Sequence, residues 1–400
     1  MIANAMDYVA TRENINAITL DEIDSDINAL NQSDTTAFLA SGESDHTLDA
    51  GWFIPVSVGD TTFIDVNNDG IQNELDEAMT NVTVTLFDAA TSMPATTNAY
   101  GFPIVPQVSD SNGFYEFDSL YPGSYYVHFD VSTAPNGMNY LVTTQNVNGT
   151  SLVNGDSDLD AMNFSDTTAF LTSGQSDHTL DAGWFLLTTV GDTTFVDVNV
   201  NGLQDAGDLP LAGVEVTLFD ALTGLPITEN VIGDTLLPEI TNMDGAYHFD
   251  SLSPGQYYVY FDVSNLPNGT DYIPTLENVT GASLVPNDSD VNGLGLSDTT
   301  EFLTSNMVDL TLDAGWVLPS AVGDTTFVDV NGNGIQDLLD QPLEGVTVTL
   351  FDALTGNLVT SDAYGNPIVP QLTDQDGYYL FDSLYPVSYT HLTLPTTPYV

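Results

Sequence analysis

Apolar residues alternate with polar or β-branched ones in short runs along this chain. Val82–Phe87 reads VTVTLF, and Phe114–Phe117, Tyr125–Phe129 and Thr179–Phe185 keep the same period of two. That period predicts half-buried strands. Turn signals separate the runs: Asn112-Gly113, Pro122-Gly123, Pro135-Asn136-Gly137 and Asn154-Gly155. No window of helical length carries an amphipathic stripe. Short strands at this spacing, without strand–helix alternation, predict an all-β sandwich. Segment 89–109, rich in Pro and Thr, is expected to be an elaborated loop or an extra hairpin.

The pattern repeats. DAGW stands at Asp49–Trp52, Asp181–Trp184 and Asp313–Trp316, and VGDTTF at Val58–Phe63, Val190–Phe195 and Val322–Phe327, each 132 residues from the last. A period of that length matches a domain rather than a solenoid repeat. The expected organisation is a tandem array. Residues 1–57 end one repeat, 58–189 and 190–321 are complete repeats, and 322–386 begin another. SLYPGSYYVHFDVS of the first complete repeat becomes SLYPVSYTHLTLPTTPYV in the last, with Val387 where the turn glycine belongs. This ending reads as translated adapter sequence, so 387–400 are set aside as a non-native tail. MIANAMDYVATREN has no basic region followed by an apolar run and reads as the interior of a repeat, not a signal peptide.

Charge narrows the function. The 400 residues hold 57 Asp and Glu against a single basic side chain, Arg12, for a net charge of -56. Nothing here neutralises phosphates, which excludes a nucleic-acid binder, and an anionic membrane surface would repel the chain. No stretch approaches the ~20 apolar residues that span a bilayer. Cysteine is absent, so disulfides and thiolate zinc sites are excluded. A secreted chain with neither cysteine nor lysine finds its crosslinks elsewhere, and divalent cations are the candidate.

The acidic residues are patterned. After the first strand of the first complete repeat come Asp65, Asn67, Asp69, Gly70, Ile71 and Asp76 at positions 1, 3, 5, 6, 7 and 12. The next repeat has Asp197, Asn199, Asn201, Gly202, Leu203 and Asp208, and the last has Asp329, Asn331, Asn333, Gly334, Ile335 and Asp340. This is the calcium-loop spacing: side-chain oxygens at 1, 3 and 5, a glycine for the sharp turn, a backbone carbonyl at 7 and a closing carboxylate at 12. Position 9 (Asn73, Asp205, Asp337) would act through water, and Asp in place of Glu at 12 shortens the reach. The competing reading is a hydrated Asx-rich turn with no ion.

Two more clusters recur. One is Asp156, Asp158, Asp160, with copies Asp288, Asp290, Asn292 and Asp24, Asp26, Asn28. The other is Asp110, Asn112, with copies Asn242, Asp244 and Asp374, Asp376. Both are calcium candidates, giving two to three ions per complete repeat, against the alternative of solvated turns. Asp60, Asp88, Asp118, Asp130 and Asp181 read as turn caps at strand ends.

VGDTTFIDVNNDGIQNELDE, NVTVTLFD, DSNGFYEFDSLYPGSYYVHFDV, DSDLD and HTLDAGWF, in that order, resemble the B-type repeat of serine-aspartate-repeat surface adhesins, within the collagen-adhesin B-domain or prealbumin-like group. The resemblance covers each complete repeat. It implies immunoglobulin-like Greek-key sandwiches in a calcium-loaded extracellular stalk. It carries the family's calcium positions onto Asp65, Asn67, Asp69 and Asp76, the turn Asp110–Gly113, and the run Asp156–Asp160. Phe63, Phe195 and Phe327 replace the family's Trp or Tyr, and Thr-Thr replaces bulkier residues in the first strand. Without lysine, the internal Lys–Asn isopeptide bond of some relatives is chemically impossible.

No catalytic constellation is read. Of the five histidines at 46, 128, 178, 248 and 391, His46 and His178 share one site, but the last repeat has Val308-Asp309-Leu310 there, and Tyr260 matches His128; no nucleophile elbow, phosphate loop or HExxH is present. Trp52, Trp184 and Trp316 fit core or junction packing better than a carbohydrate platform. The expected function is a calcium-stabilised spacer or stalk of a large bacterial cell-surface or secreted adhesin-like protein. Its partners would be calcium and neighbouring repeats, with any glycan or protein ligand bound outside these residues. Two alternatives stand: the repeats or segment 89–109 bind glycan or protein directly, or the array is an accessory region of an exported hydrolase.

Overall fold

The computed structural model describes residues 7–11, 25–28, 30–147, 155–267, 269–281 and 286–394. Asp24 lies outside them. The chain divides into two compact units, residues 1–187 with 304–306, and residues 188–303 with 307–400. Apart from three short 3-10 turns, the described regular elements are strands, as the period of two predicts.

In the first unit the main strands are β1 (Val56–Ile64), β2 (Thr83–Asp88), β3 (Phe114–Leu120), β4 (Tyr125–Asp130) and β5 (Ala182–Phe185). β1 pairs antiparallel with β3 and parallel with β5, while β2 pairs antiparallel with β4. Two sheets result, and their facing residues make one core. Val84 and Leu86 of β2, Val127 and Phe129 of β4, Val58 of β1, and Tyr115 and Phe117 of β3 are all buried. Segment 89–109 is the extra hairpin: Met93–Pro94 and Gln107–Val108 both pair with β2, and Thr97 bridges Pro103.

Strict alternation fails at one place in β3. Tyr115 and Phe117 point inward, yet the next buried residue is Leu120. Ser119 has φ 59° and adds a residue there, and the β1–β3 register shifts between Val56 and Val58. A bulge of this kind bends the strand without moving its apolar set to the wrong face. Ser251 and Ser383 repeat the feature at φ 59° and 56°.

The second unit contains β6 (Thr188–Val196), β7 (Glu215–Asp220), β8 (Ala246–Leu252), β9 (Tyr257–Asp262) and β10 (Ala314–Val317), paired as in the first. It also contains β11 (Ser320–Thr325), β12 (Thr347–Asp352), β13 (Tyr378–Leu384) and β14 (Tyr389–Leu394). β11 pairs with β13 and β12 with β14. This last repeat has a smaller core of Val348, Leu350, Tyr379, Phe381 and Leu384.

The repeat-end tryptophans are packing residues in the complete repeats. Trp184 is fully buried, edge-on to Phe129 at 5.8 Å, and its Nε1–H donates to Asn163 Oδ1 at 2.9 Å. Trp316 is 3% exposed, whereas Trp52 is 49% exposed. Trp184→Ala should therefore cost about 3–5 kcal/mol in denaturant unfolding of the first unit. Trp52→Ala should cost a small fraction of that; equal losses would refute the packing assignment.

Candidate metal centre

The acidic loop follows β1 directly. Asp65 is buried; its Oδ2 accepts the Gly70 N–H at 2.8 Å and its Oδ1 the Asp69 N–H at 3.2 Å. The Thr143 hydroxyl also donates to Asp65 Oδ2. Asn67 Nδ2–H reaches Asp69 Oδ2 at 2.8 Å, and Asn73 Nδ2–H donates to the Ile71 carbonyl at 3.1 Å. Asp76 closes the loop by accepting the Val66 N–H at 2.9 Å and the Asn73 N–H at 2.8 Å. Positions 1, 3, 5, 7 and 9 are thus drawn together, and position 12 clamps both sides of the turn. The glycine is obligatory: Gly70 has φ +77°, and a Cβ there would lie 2.5 Å from the Thr144 carbonyl oxygen.

The second repeat copies this geometry. Asp197 accepts the Gly202 N–H at 2.8 Å, Asn199 and Asn201 donate to Asp205 at 3.1 and 2.9 Å, Asn201 Oδ1 accepts the Leu203 N–H at 2.8 Å, and Asp208 accepts the Val198 and Asp205 N–H groups. The third does so with Asp329, Asn331, Asn333, Ile335, Asp337 and Asp340. Asp329 is half-buried, where Asp65 and Asp197 are buried. Burial raises Asp76 above the ordinary carboxylate value. Backbone N–H groups lower Asp205, Asp329 and Asp337, first among them those of Gly207, Gly334 and Leu339.

The loop and the DSD run, far apart in sequence, lie side by side. Ile71 bridges Asp156, the Gln72 N–H donates to the Gly155 carbonyl at 2.7 Å, and the Ser157 N–H donates to the Gly70 carbonyl at 3.0 Å. Leu203 bridges Asp288 in the same way. Asp156, Asp158, Asp288, Asp290 and Asp26 are fully buried. Asp288 Oδ2 accepts the Thr280 hydroxyl at 2.7 Å, while its buried Oδ1 meets no hydrogen-bond partner among the described residues. Asp26 Oδ2 accepts the Asp49 N–H at 2.7 Å.

The third members of the run behave differently. Asp160 caps the Met162 and Phe164 N–H groups, Asn292 those of Leu294 and Leu296, and Asn28 those of Leu30 and Gln32. These are Asx turns. The third cluster is also a turn: Asp110 caps Asn112 and Phe114, Asn242 caps Asp244 and Ala246, and Asp374 caps Asp376 and Tyr378.

The donors gathered by loop and run are carboxylate, amide and backbone oxygens, a set suited to a hard divalent cation. Asp288 Oδ1 is a buried acceptor of that kind. Among the described residues no three Asp, Glu or His side chains converge as a metal cluster. Any shell would therefore draw on the Asn side chains and the position-7 carbonyls.

Two carboxylates read as caps, half-buried Asp60 and buried Asp181, form a facing pair instead. Asp88 and Asp130 do cap turns. Asp181, however, is buried, accepts the Gly155 N–H at 2.8 Å and the Thr61 hydroxyl at 2.8 Å, and faces Asp60. Burial, then the Asp181 charge, pushes Asp60 up to about 8. Asp192 beside Asp313 is pushed up to about 8 for the same reasons. Both aspartates recur in VGDTTF and DAGW, but only the parallel β1–β5 pairing brings them together.

These are tandem all-β sandwich repeats with an ordered oxygen cluster at one strand end. The chain belongs to the SdrD B-like domain family, whose model matches residues 56–184, 188–316 and 320–398. It is 32% identical over 343 residues to serine-aspartate repeat-containing protein F of Staphylococcus epidermidis, covering 84% of this chain and 18% of that protein. It is 31% identical over 369 residues to serine-aspartate repeat-containing protein D of Staphylococcus aureus, covering 91% and 23% respectively. Protein E of Staphylococcus aureus is 35% identical over 334 residues, covering 82% of this chain and 24% of its own. The chain thus spans roughly a fifth to a quarter of these relatives.

The carboxyl pair sets a pH dependence. The folded value of Asp60, about 8, lies above the ordinary ~3.9, so the folded chain holds this proton more tightly than the unfolded chain. The associated stability is fully present below about pH 4 and is lost as pH rises through about 8. In chelator, Asp60→Asn with Asp192→Asn should raise the melting temperature at pH 8 and leave it little changed at pH 4.5. A parallel shift at both pH values would contradict the assignment.

Proposed function

We propose that this chain is a calcium-stabilised spacer within the stalk of a large bacterial cell-surface or secreted adhesin. The observation that carries the reading is a set of fully buried aspartates, Asp65, Asp156 and Asp158 with Asp288 and Asp290, in a chain of net charge -56 with one basic residue. Burying carboxylates is costly, and a chain with one basic side chain supplies few opposite charges to offset it. The family relationship supports a surface location and a structural role rather than an enzymatic one, and among the described residues no helix is long and apolar enough to cross a membrane.

In this reading Asp65, Asn67, Asp69 and the Ile71 carbonyl hold one ion, with Asp76 keeping the loop closed. Asp156 and Asp158 stand beside it as further ligands. Asp197, Asn199, Asn201, Leu203, Asp208, Asp288 and Asp290 do the same in the second repeat. Bound calcium supplies the positive charge that the sequence lacks. Asp110, Asn112, Asp160 and their copies act as turn caps, which lowers the expected stoichiometry towards two ions per complete repeat.

Ions bound only by the folded state stabilise it by mass action, about 2.7 kcal/mol per site at a hundredfold excess over Kd. Several sites would rival a domain's net stability of ~5–15 kcal/mol. Calcium should therefore raise the melting temperature of the whole chain well above its value in chelator. Asp65→Ala with Asp76→Ala should remove about one bound ion by calorimetry and lower melting in calcium by clearly more than in chelator. Identical melting of the parent chain with and without calcium would end the proposal.

A second reading attaches to the extra hairpin, which presents Phe102 and Val105 at 65% and 59% exposure, with Leu237 and Val369 exposed on the related segments. Direct ligand binding there would be lost in Phe102→Ser with Val105→Ser without a change in calcium-dependent melting.

A further inference from the structure

Position 8 of the acidic loop, Gln72, was not among the candidate ligands, and its side chain reaches out of the loop. Gln72 Oε1 lies 2.8 Å from the Thr61 hydroxyl of β1, and the same hydroxyl lies 2.8 Å from Asp181 Oδ1 at the head of β5. Asp181 Oδ2 accepts the Gly155 N–H at 2.8 Å, and the Gly155 carbonyl accepts the Gln72 N–H at 2.7 Å. The contacts form a closed ring through four segments: first strand, acidic loop, the stretch leading into the DSD run, and last strand.

The second repeat closes the same ring. Thr193 lies 3.0 Å from Gln204 Oε1 and 2.7 Å from Asp313 Oδ1; Asp313 Oδ2 accepts the Asn287 N–H at 2.9 Å, and the Asn287 carbonyl accepts the Gln204 N–H at 2.8 Å. Gly155 and Asn287 differ as residues, so the ring uses backbone there and is kept despite the substitution. In the third repeat Thr325 lies 3.1 Å from Gln336 Oε1.

The ring has a mechanical sense. Thr61 has one hydroxyl hydrogen and two oxygen neighbours, so the position of the loop amide and the bonding of the last-strand carboxylate depend on each other. Without a cation, Asp65, Asp69 and Asp76 repel one another and favour an open loop. An open loop withdraws Gln72 from Thr61 and the Gly155 carbonyl from its donor. The buried Asp181 carboxylate then loses the order of its partners, which is costly for a buried polar group.

We propose that the Gln72–Thr61–Asp181 ring, and its copy Gln204–Thr193–Asp313, couples cation binding in the acidic loop to the closure of the first strand on the last. The ion then locks the sandwich, not its own loop alone. This rests on the calcium reading above. Thr61 and Gln72 are positioning residues, and they carry the side-chain arm of the ion's effect on β5, beside the backbone arm through Gly155.

The test is hydrogen exchange of the full chain, followed by mass spectrometry, with calcium and with chelator. In the parent chain calcium should slow exchange both in loop 65–76 and in Ala182–Phe185, with the same at 197–208 and Ala314–Val317. A coupling of ordinary size predicts slowing of the last strand by at least about fivefold. Thr61→Val with Thr193→Val should keep the protection of the loops and the number of bound ions, yet clearly reduce the calcium-induced part of last-strand protection, leaving what the backbone arm through Gly155 and Asn287 transmits. Thr61→Ser with Thr193→Ser, which retains the hydroxyl, should restore the lost part.

Should the valine variant fail to fold, Gln72→Met with Gln204→Met cuts only the loop link and should give the same reduction. A ring that is merely a structural bond network would speed last-strand exchange equally in calcium and in chelator, and that result overturns the coupling. So does full calcium-induced protection of the last strand in either variant. If calcium slows neither loop nor strand in the parent chain, the calcium reading fails first and the coupling with it.

Discussion

Carboxylates placed in the interior without basic partners are the constraint on which the rest of this structure depends. A buried acid is tolerated when backbone N–H groups, hydroxyls, a shared proton or a cation take the place of a salt bridge. Each complete repeat uses the first three visibly. Asp65 is wrapped by the N–H groups of its own loop, Asp181 holds the Gly155 N–H and the Thr61 hydroxyl, and Asp60 keeps its proton well above the usual carboxylate range. The fourth is what the calcium proposal adds.

These acids share one end of the fold for a topological reason. β5 pairs in parallel with the end of β1, which sets Asp181 beside Thr61, and the acidic loop folds back along β1 to bring Gln72 to the same hydroxyl. The acidic loop, the DSD run and DAGW therefore meet where the first and last strands do. Parallel neighbours cannot be joined by a tight turn. The sandwich closes through contacts between distant parts of the chain, such as the Tyr115 hydroxyl donating to the Leu180 carbonyl at 2.7 Å.

The apolar core is largely independent of this chemistry. Val84, Leu86, Val127, Phe129 and Trp184 fill the space between the sheets in the first unit, and Val216, Leu218, Val259, Phe261 and Trp316 do so in the second. The last repeat keeps Val348 and Leu350 with Tyr379 and Phe381 while its acidic loop stands exposed. Hydrophobic alternation forms the sheets, and the oxygen network sets how they close.

Much of this was legible in the residues. Alternation in VTVTLF marked β2, the repeated motifs marked the array, and Gly70 between Asp69 and Ile71 marked the sharp turn, because period and turn chemistry are local properties. The side-chain bonds of Asp110 and Asp160 are equally local, yet spacing could not separate an Asx turn from an ion site, since both place oxygens at alternate positions. The tertiary structure decided what depended on chain crossing. It set the DSD run against the acidic loop, turned Asp60 and Asp181 from expected caps into a facing carboxyl pair, and aimed Gln72 at Thr61. Those contacts join residues up to 120 positions apart, and no local pattern carries the register of a parallel strand pair closed across a whole domain.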